Sequence, residues 1–271
     1  MSRLRQASGA PRRLAATFAR LRSQPGPGLV TYITAGDPDL DRTEGILRAL
    51  DRAGADVIEV GVPFSDPLAD GPVIQRATER ALASGTTLVG VLDLVRRVRT
   101  AVTAPIVIFS YANPILRLGA EQFADQAREA GVDGVLVLDL PIEEAGEFRG
   151  LLAERGIDTI LLLSPTTSDV RLLRAAEMGS GFLYAISRLG VTGARDVLAD
   201  GAEQMVRRIR AVSELPVALG FGISKPEHVR AVGQWADAAV VGSALVSVIA
   251  AAGTSSDLNT RVEEYVRWLK S

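Results

Sequence analysis

Short apolar runs recur along the chain, each followed by a stretch whose apolar positions return every three to four residues. The runs lie at 29–34, 56–60, 106–109, 134–138, 159–163, 182–186, 216–220 and 239–241. They are rich in Val, Ile, Leu and aromatic residues and are nearly uninterrupted by polar ones, as in parallel strands covered on both faces. The intervening amphipathic stretches include 42–53, 121–130, 143–154, 169–177, 202–211 and 226–232. A further amphipathic segment at 14–21 precedes the first strand, and another at 258–269 ends the chain. Gly54, Gly131 and Gly156 stand where helices of this kind stop. The phrases Ala-Gly-Ala-Asp56, Ala-Gly-Val-Asp133 and Arg-Gly-Ile-Asp158 each read as helix end, glycine turn and strand start.

Eight strands alternating with helices predict an α/β fold, a closed (β/α)8 TIM barrel formed as one domain over residues 1–271. It carries an extra N-terminal helix and a short helix after the eighth strand. An open doubly wound sheet is the competing architecture, but no dinucleotide glycine fingerprint follows the first strand. In a barrel, chemistry belongs at the C-terminal ends of the strands and on the loops after them.

Composition narrows the function. A formal charge of −2 with 47% hydrophobic residues supplies a large core and no global field for nucleic acid or membrane. With no cysteine and one histidine, His228, thiolate and histidine metal sites are ruled out, and no metal is expected. No apolar run reaches the roughly 18–20 residues of a membrane span, so a cytoplasmic enzyme of small molecules is expected. Arg3, Arg5, Arg12, Arg13, Arg20 and Arg22 give the N-terminus a superficial likeness to a transit peptide. All basic residues except Lys225 and Lys270 are arginine, however, so this start matches a bias of the whole chain.

The densest candidate chemistry is Val57-Ile-Glu-Val-Gly-Val-Pro-Phe-Ser-Asp-Pro-Leu-Ala-Asp70. Glu59 sits in an apolar strand; an inward side chain would be desolvated, and its pKa would rise far enough to give and take a proton near neutrality. A buried ion pair with an arginine is the structural alternative. Asp70 follows on a loop stiffened by Pro63 and Pro67, where it is either a positioned carboxylate or the N-cap of a helix starting near Pro72. Glycine-rich loops follow the last three strands: Ser187-Arg-Leu-Gly-Val-Thr-Gly193, Gly220-Phe-Gly-Ile-Ser224 and Gly242-Ser-Ala-Leu245. Loops of this kind, with a helix N-terminus starting at Gly242 and Ser243, cradle phosphate through backbone N–H groups, although each alone is also ordinary turn chemistry.

Taken with Thr34-Ala-Gly-Asp-Pro38, Tyr111-Ala-Asn-Pro114 and Asp139-Leu-Pro141, these motifs resemble the tryptophan synthase alpha subunit family, in register from about Leu29 to the C-terminus. The resemblance implies cleavage of indole-3-glycerol phosphate to indole and glyceraldehyde 3-phosphate without a cofactor. It implies Glu59 as the shuttling acid and base and Asp70 as the group facing the indole nitrogen. It further implies Tyr32, Phe109, Leu136 and Phe221 as apolar walls, Tyr184 beside the substrate, and Thr192 on a loop that closes onto Asp70. Gly193, Gly222, Gly242 and Ser243 become the phosphate cradle, while Ser110 and Leu138 fall at variable wall positions. The implied partner is a pyridoxal-phosphate beta subunit in an alpha2beta2 heterotetramer, contacted through the second and sixth loops. A free-standing lyase, a catalytically silent partner and a sugar-phosphate isomerase on the same barrel are the alternatives.

Overall fold

A computed structural model describes residues 12–186, 201–220 and 222–271. In chain order, the described elements begin with α1 (Arg13–Arg22), β1 (Gly28–Thr34), α2 (Leu40–Arg52), β2 (Val57–Gly61), α3 (Pro72–Ala83) and α4 (Leu88–Val98). They continue with β3 (Ile106–Ser110), α5 (Ala112–Leu118), α6 (Ala120–Ala130), β4 (Gly134–Val137), α7 (Gly146–Glu154), β5 (Asp158–Leu163) and α8 (Asp169–Met178). The last are β6 (Leu183–Ile186), α9 (Ala202–Arg210), β7 (Val217–Gly220), α10 (Pro226–Val232), β8 (Ala238–Val241), α11 (Ser243–Ala252) and α12 (Leu258–Leu269). Every strand pairs in parallel with the next, and β8 closes on β1.

The uninterrupted apolar strands divide into two cores by their alternation. Val30, Val57, Val107, Leu136, Ile160, Phe182, Ala218 and Val240 point into the barrel, while Leu29, Ile58, Ile108, Val135, Leu183, Leu219 and Val241 face the helices. Successive side chains on a strand take opposite faces, so a strand buried on both must be apolar at every position.

The N-terminal helix closes the bottom of the barrel. Leu14, Phe18 and Leu21 of α1 join the interior core, with the Phe18 ring 5.4 Å from that of Phe182. Arginines on this helix and at its N-cap bind a set of aspartates at the strand starts: Arg12 to Asp158, Arg13 to Asp133, Arg20 to Asp56 and Arg22 to Asp237. Three of these aspartates also accept the first free amide of a neighbouring strand, Asp56 from Leu29, Asp133 from Ile106 and Asp237 from Val217. An aspartate here satisfies a backbone donor that the ladder leaves open, and the arginine offsets its charge. Four of the N-terminal arginines thus have specific partners in the fold, which the composition bias alone does not provide; Arg3 and Arg5 lie outside the described residues.

No strand boundary departs from the sequence reading by more than one residue. The helices differ more. The segment at 143–154 becomes helical only at Gly146, since residues 142–145 form turns after Pro141. Two helices between 83 and 120 were not read from the sequence. The first, α4, is capped by the Thr87 side chain, which accepts the Gly90 amide, and buries Leu88, Val91, Leu92, Leu94, Val95 and Val98. The second, α5, holds Pro114 in its first turn, where the missing N–H costs nothing.

Candidate active site

Alternation inside the barrel also builds the site. Tyr32 on β1, Glu59 on β2, Phe109 on β3, Leu136 on β4 and Tyr184 on β6 all occupy inward positions near the C-terminal mouth. The register sets Tyr32 beside Glu59 and Phe109 beside Leu136. The Tyr32 and Phe109 rings meet edge to face at 5.1 Å. Glycines make room for the tyrosines: a Cβ on Gly61 would lie 2.2 Å from the Tyr32 hydroxyl, and one on Gly220 would lie 2.6 Å from that of Tyr184. Any side chain at either strand position would push a tyrosine hydroxyl out of the mouth.

Glu59 is fully buried, and neither of its carboxyl oxygens has a hydrogen-bond partner among the described residues. Burial alone raises its pKa to about 8. The arginine pairing considered from the sequence is therefore not what the described residues show. An isolated ionised carboxylate in such a place is costly, so the group takes up a proton instead.

Asp70 is also buried, on the loop between β2 and α3. Gly71, not Asp70, is the N-cap of α3, so the capping alternative fails. Its Oδ2 instead accepts the Tyr111 hydroxyl at 3.2 Å. Burial pushes the carboxyl up to about 6, and the Tyr111 hydrogen bond opposes that rise. Tyr32 is raised far above the ordinary phenol range by burial first and by the Asp70 charge second; Tyr184 is raised by burial first and by Glu59 second. Both tyrosines remain neutral hydroxyls between or beside the two carboxyls.

At the rim, Gly222 follows β7 with a left-handed φ of +80°. Gly242 follows β8 as the N-cap of α11, with Ser243 as its first residue; a glycine at this position has no side chain to cap the helix. Among the described residues no side chain occupies the first amides of α11, and the helix dipole there favours negative charge. Ser110 is buried and donates its hydroxyl to the Tyr111 carbonyl, while Leu138 packs against the interior core. Thr192, Gly193 and Phe221 lie outside the described residues.

Tyr111 opens the Tyr-Ala-Asn-Pro114 motif, whose pattern alone gives the tyrosine no role. Its hydroxyl reaches back across 41 residues to Asp70. A strand-end tyrosine facing a proline-bounded acidic loop was the available signal.

The family model of the tryptophan synthase alpha chain matches residues 18–271. The chain belongs to the tryptophan synthase alpha chain family. The match begins within α1, earlier than the motifs indicated. The alpha chain of Geobacter sp. (strain M21) is 52% identical over 234 residues, covering 86% of this chain and 88% of that one. The alpha chain of Solibacter usitatus is 45% identical over 258 residues, covering 95% and 97%. Among solved structures, the alpha subunit from Legionella pneumophila str. Paris superposes with a TM-score of 0.86 at 37% identity, covering 96% of this chain and 98% of that one. A chain of the Pyrococcus furiosus tryptophan synthase, described there as an a2b2 complex, gives 0.85 at 41% identity, covering 90% and 98%. As a tryptophan synthase alpha chain this protein is a lyase that cleaves indole-3-glycerol phosphate to indole and glyceraldehyde 3-phosphate, the alpha reaction of tryptophan biosynthesis. Membership removes the isomerase alternative. No helix among the described residues is long and apolar enough to cross a membrane.

Proposed function

We propose that Glu59 carries the proton chemistry of this cleavage and that Asp70 stabilises the charge developing on the indole ring. The indole ring lies among Tyr32, Phe109, Leu136 and Phe221, with Tyr184 beside the glycerol chain. The phosphate rests on the amides at Gly193, Gly222, Gly242 and Ser243. Protonated Glu59 gives its proton to indole C3, leaving positive charge that spreads to the ring nitrogen, where ionised Asp70 faces it. The Glu59 carboxylate then takes the proton of the neighbouring glycerol hydroxyl. The oxygen's electrons form the aldehyde, the carbon–carbon bond breaks, and its electrons restore the aromatic indole. Glu59 ends protonated, ready for the next turn. Thr192, outside the described residues, is proposed as a further hydroxyl partner of Asp70.

The observation that carries this reading is the fully buried Glu59 carboxyl with no hydrogen-bond partner among the described residues, raised to about 8, while the buried Asp70 carboxyl, which acts on the same Tyr32, is raised only to about 6. Two carboxyls whose surroundings separate their pKa values divide the work into an acid and an ion. We further propose that the whole chain works as a single barrel in the cytoplasm, without a cofactor of its own, paired with a tryptophan synthase beta subunit in an alpha2beta2 assembly as in the Pyrococcus furiosus complex.

The pH profile of indole release tests the assignment. Ionised Asp70 and protonated Glu59 together require a bell-shaped kcat/KM, with the acid limb near pH 6 and the basic limb near pH 8. A profile flat across this range would remove both carboxyls from the chemistry.

A further inference from the structure

We propose that Tyr111 is a positioning residue for Asp70, holding one carboxylate oxygen and leaving the other for the indole nitrogen. This rests on the role given to Asp70 above.

Tyr111 is 5% exposed and stands between β3 and α5. Its hydroxyl oxygen accepts the Ala69 amide at 3.0 Å and lies 3.2 Å from Asp70 Oδ2. A phenol has one proton. The amide bond to Ala69 occupies an acceptor site on the oxygen, and that single proton is directed at Asp70, which can only accept when ionised. Its ring lies 5.2 Å from that of Phe64, at the other end of the same loop. One side chain therefore grips the loop at its start and at its end. On the far side, Gln75 of α3 donates to the Asp70 carbonyl at 2.9 Å, so the backbone at Asp70 is fixed from the helix and the carboxylate from Tyr111.

Tyr111 is anchored in turn. Ser110 donates to its carbonyl at 2.9 Å, and the amide of the next residue, Ala112, donates to Asp139 Oδ1 at 2.6 Å. The second, third and fourth loops are thus joined through Tyr111 and its neighbour. The titratable groups that interact with Asp70 are Tyr111 from the third loop and Tyr32 from β1; Glu59 of β2 acts on Tyr32, and Asp139 of the fourth loop acts on Tyr111. Tyr111 is the one of these that donates a hydrogen bond to Asp70. A donated hydrogen bond favours the ionised carboxylate, so the tyrosine both aims Asp70 and keeps it charged against the effect of burial.

Tyr111→Phe keeps the ring against Phe64 and removes only the hydroxyl. The experiment compares the full chain as wild type, Tyr111→Phe, Asp70→Asn and the double variant, measuring indole release against pH and titrating the Asp70 carboxyl by carbon-13 NMR. In Tyr111→Phe, the Asp70 titration and the acid limb of kcat/KM are expected to move up together by about one pH unit, from the usual strength of a hydrogen bond to a charged group. The loss at pH 6 should fall mainly on kcat, by about fivefold, and the second substitution should add little in the Asp70→Asn background. An Asp70 titration unmoved in Tyr111→Phe, or a double variant whose losses simply multiply, would overturn the inference while leaving Asp70 in its role. Near-normal turnover in Asp70→Asn would instead overturn the Asp70 role, and with it the inference.

Discussion

Replacing Glu59 with glutamine keeps the shape of the side chain and removes its titration, and the variant is expected to gain stability at alkaline pH while losing activity. Burial raises the carboxyl from 4.5 to about 8. The unfolded chain gives up this proton near pH 4.5, whereas the native chain keeps it until pH 8. Between those values the native state binds the extra proton, so stability falls as pH rises, and the fall ends once the pH passes the folded value. Integrated from pH 6 to pH 8, this one group removes about 2 kcal/mol of stability. The window largely clears Asp70, which is raised only to about 6. Urea unfolding of both proteins at pH 6 and pH 8 reads the difference directly. Wild type should lose about 2 kcal/mol more than Glu59→Gln across the interval, with the urea dependence unchanged. Equal losses in the two proteins would show that Glu59 is not held protonated by its surroundings, and the proton inventory of the proposed mechanism would fail with it.

Two other substitutions probe the two ends of the barrel. Gly222→Val imposes a branched side chain on a backbone at φ +80° and crowds the phosphate site; KM for indole-3-glycerol phosphate should rise at least tenfold with a smaller change in kcat, and an unchanged KM would remove this loop from the cradle. Asp56→Ala leaves the Leu29 amide, Arg20 and Lys270 without their shared carboxylate. Burial would raise Asp56, but those hydrogen bonds outweigh it and hold the carboxyl below its usual range, so its contribution is present at neutral pH and is lost as the pH falls through the folded value. The variant should be about 2–3 kcal/mol less stable at pH 7, by urea unfolding, with a smaller difference in acid; a neutral effect would show that the strand-start aspartates are dispensable.

The barrel was legible because burial on both faces of every strand leaves a continuous apolar run, and because the helix stops repeat the same glycine. Gly131 does this with a left-handed φ of +78° after α6. What the pattern missed were helices whose starts look like loops: α5 opens on Ala-Asn-Pro, and Pro114 reads as a breaker unless it is known to sit in the first turn. The two carboxyls were legible from local surroundings, Glu59 from its apolar flanks and Asp70 from its stiff loop. Their partners were not. The Tyr111 to Asp70 hydrogen bond and the pairing of Arg12 with Asp158 join residues 41 and 146 positions apart, and only the closed barrel brings them together. The arginine-rich start illustrates the same limit: composition explains why the residues are arginine, whereas the ring of strand-start aspartates explains what they do.

The most direct test of Glu59 as the proton shuttle is indole formed in a single turnover of indole-3-glycerol phosphate, by wild type and by Glu59→Gln, each with and without a tryptophan synthase beta subunit. Wild type should release indole, faster with the partner present, while the variant binds the substrate normally and forms indole roughly 10²–10⁴ times more slowly in both conditions. Indole released at near-wild-type rate by Glu59→Gln would contradict the assignment.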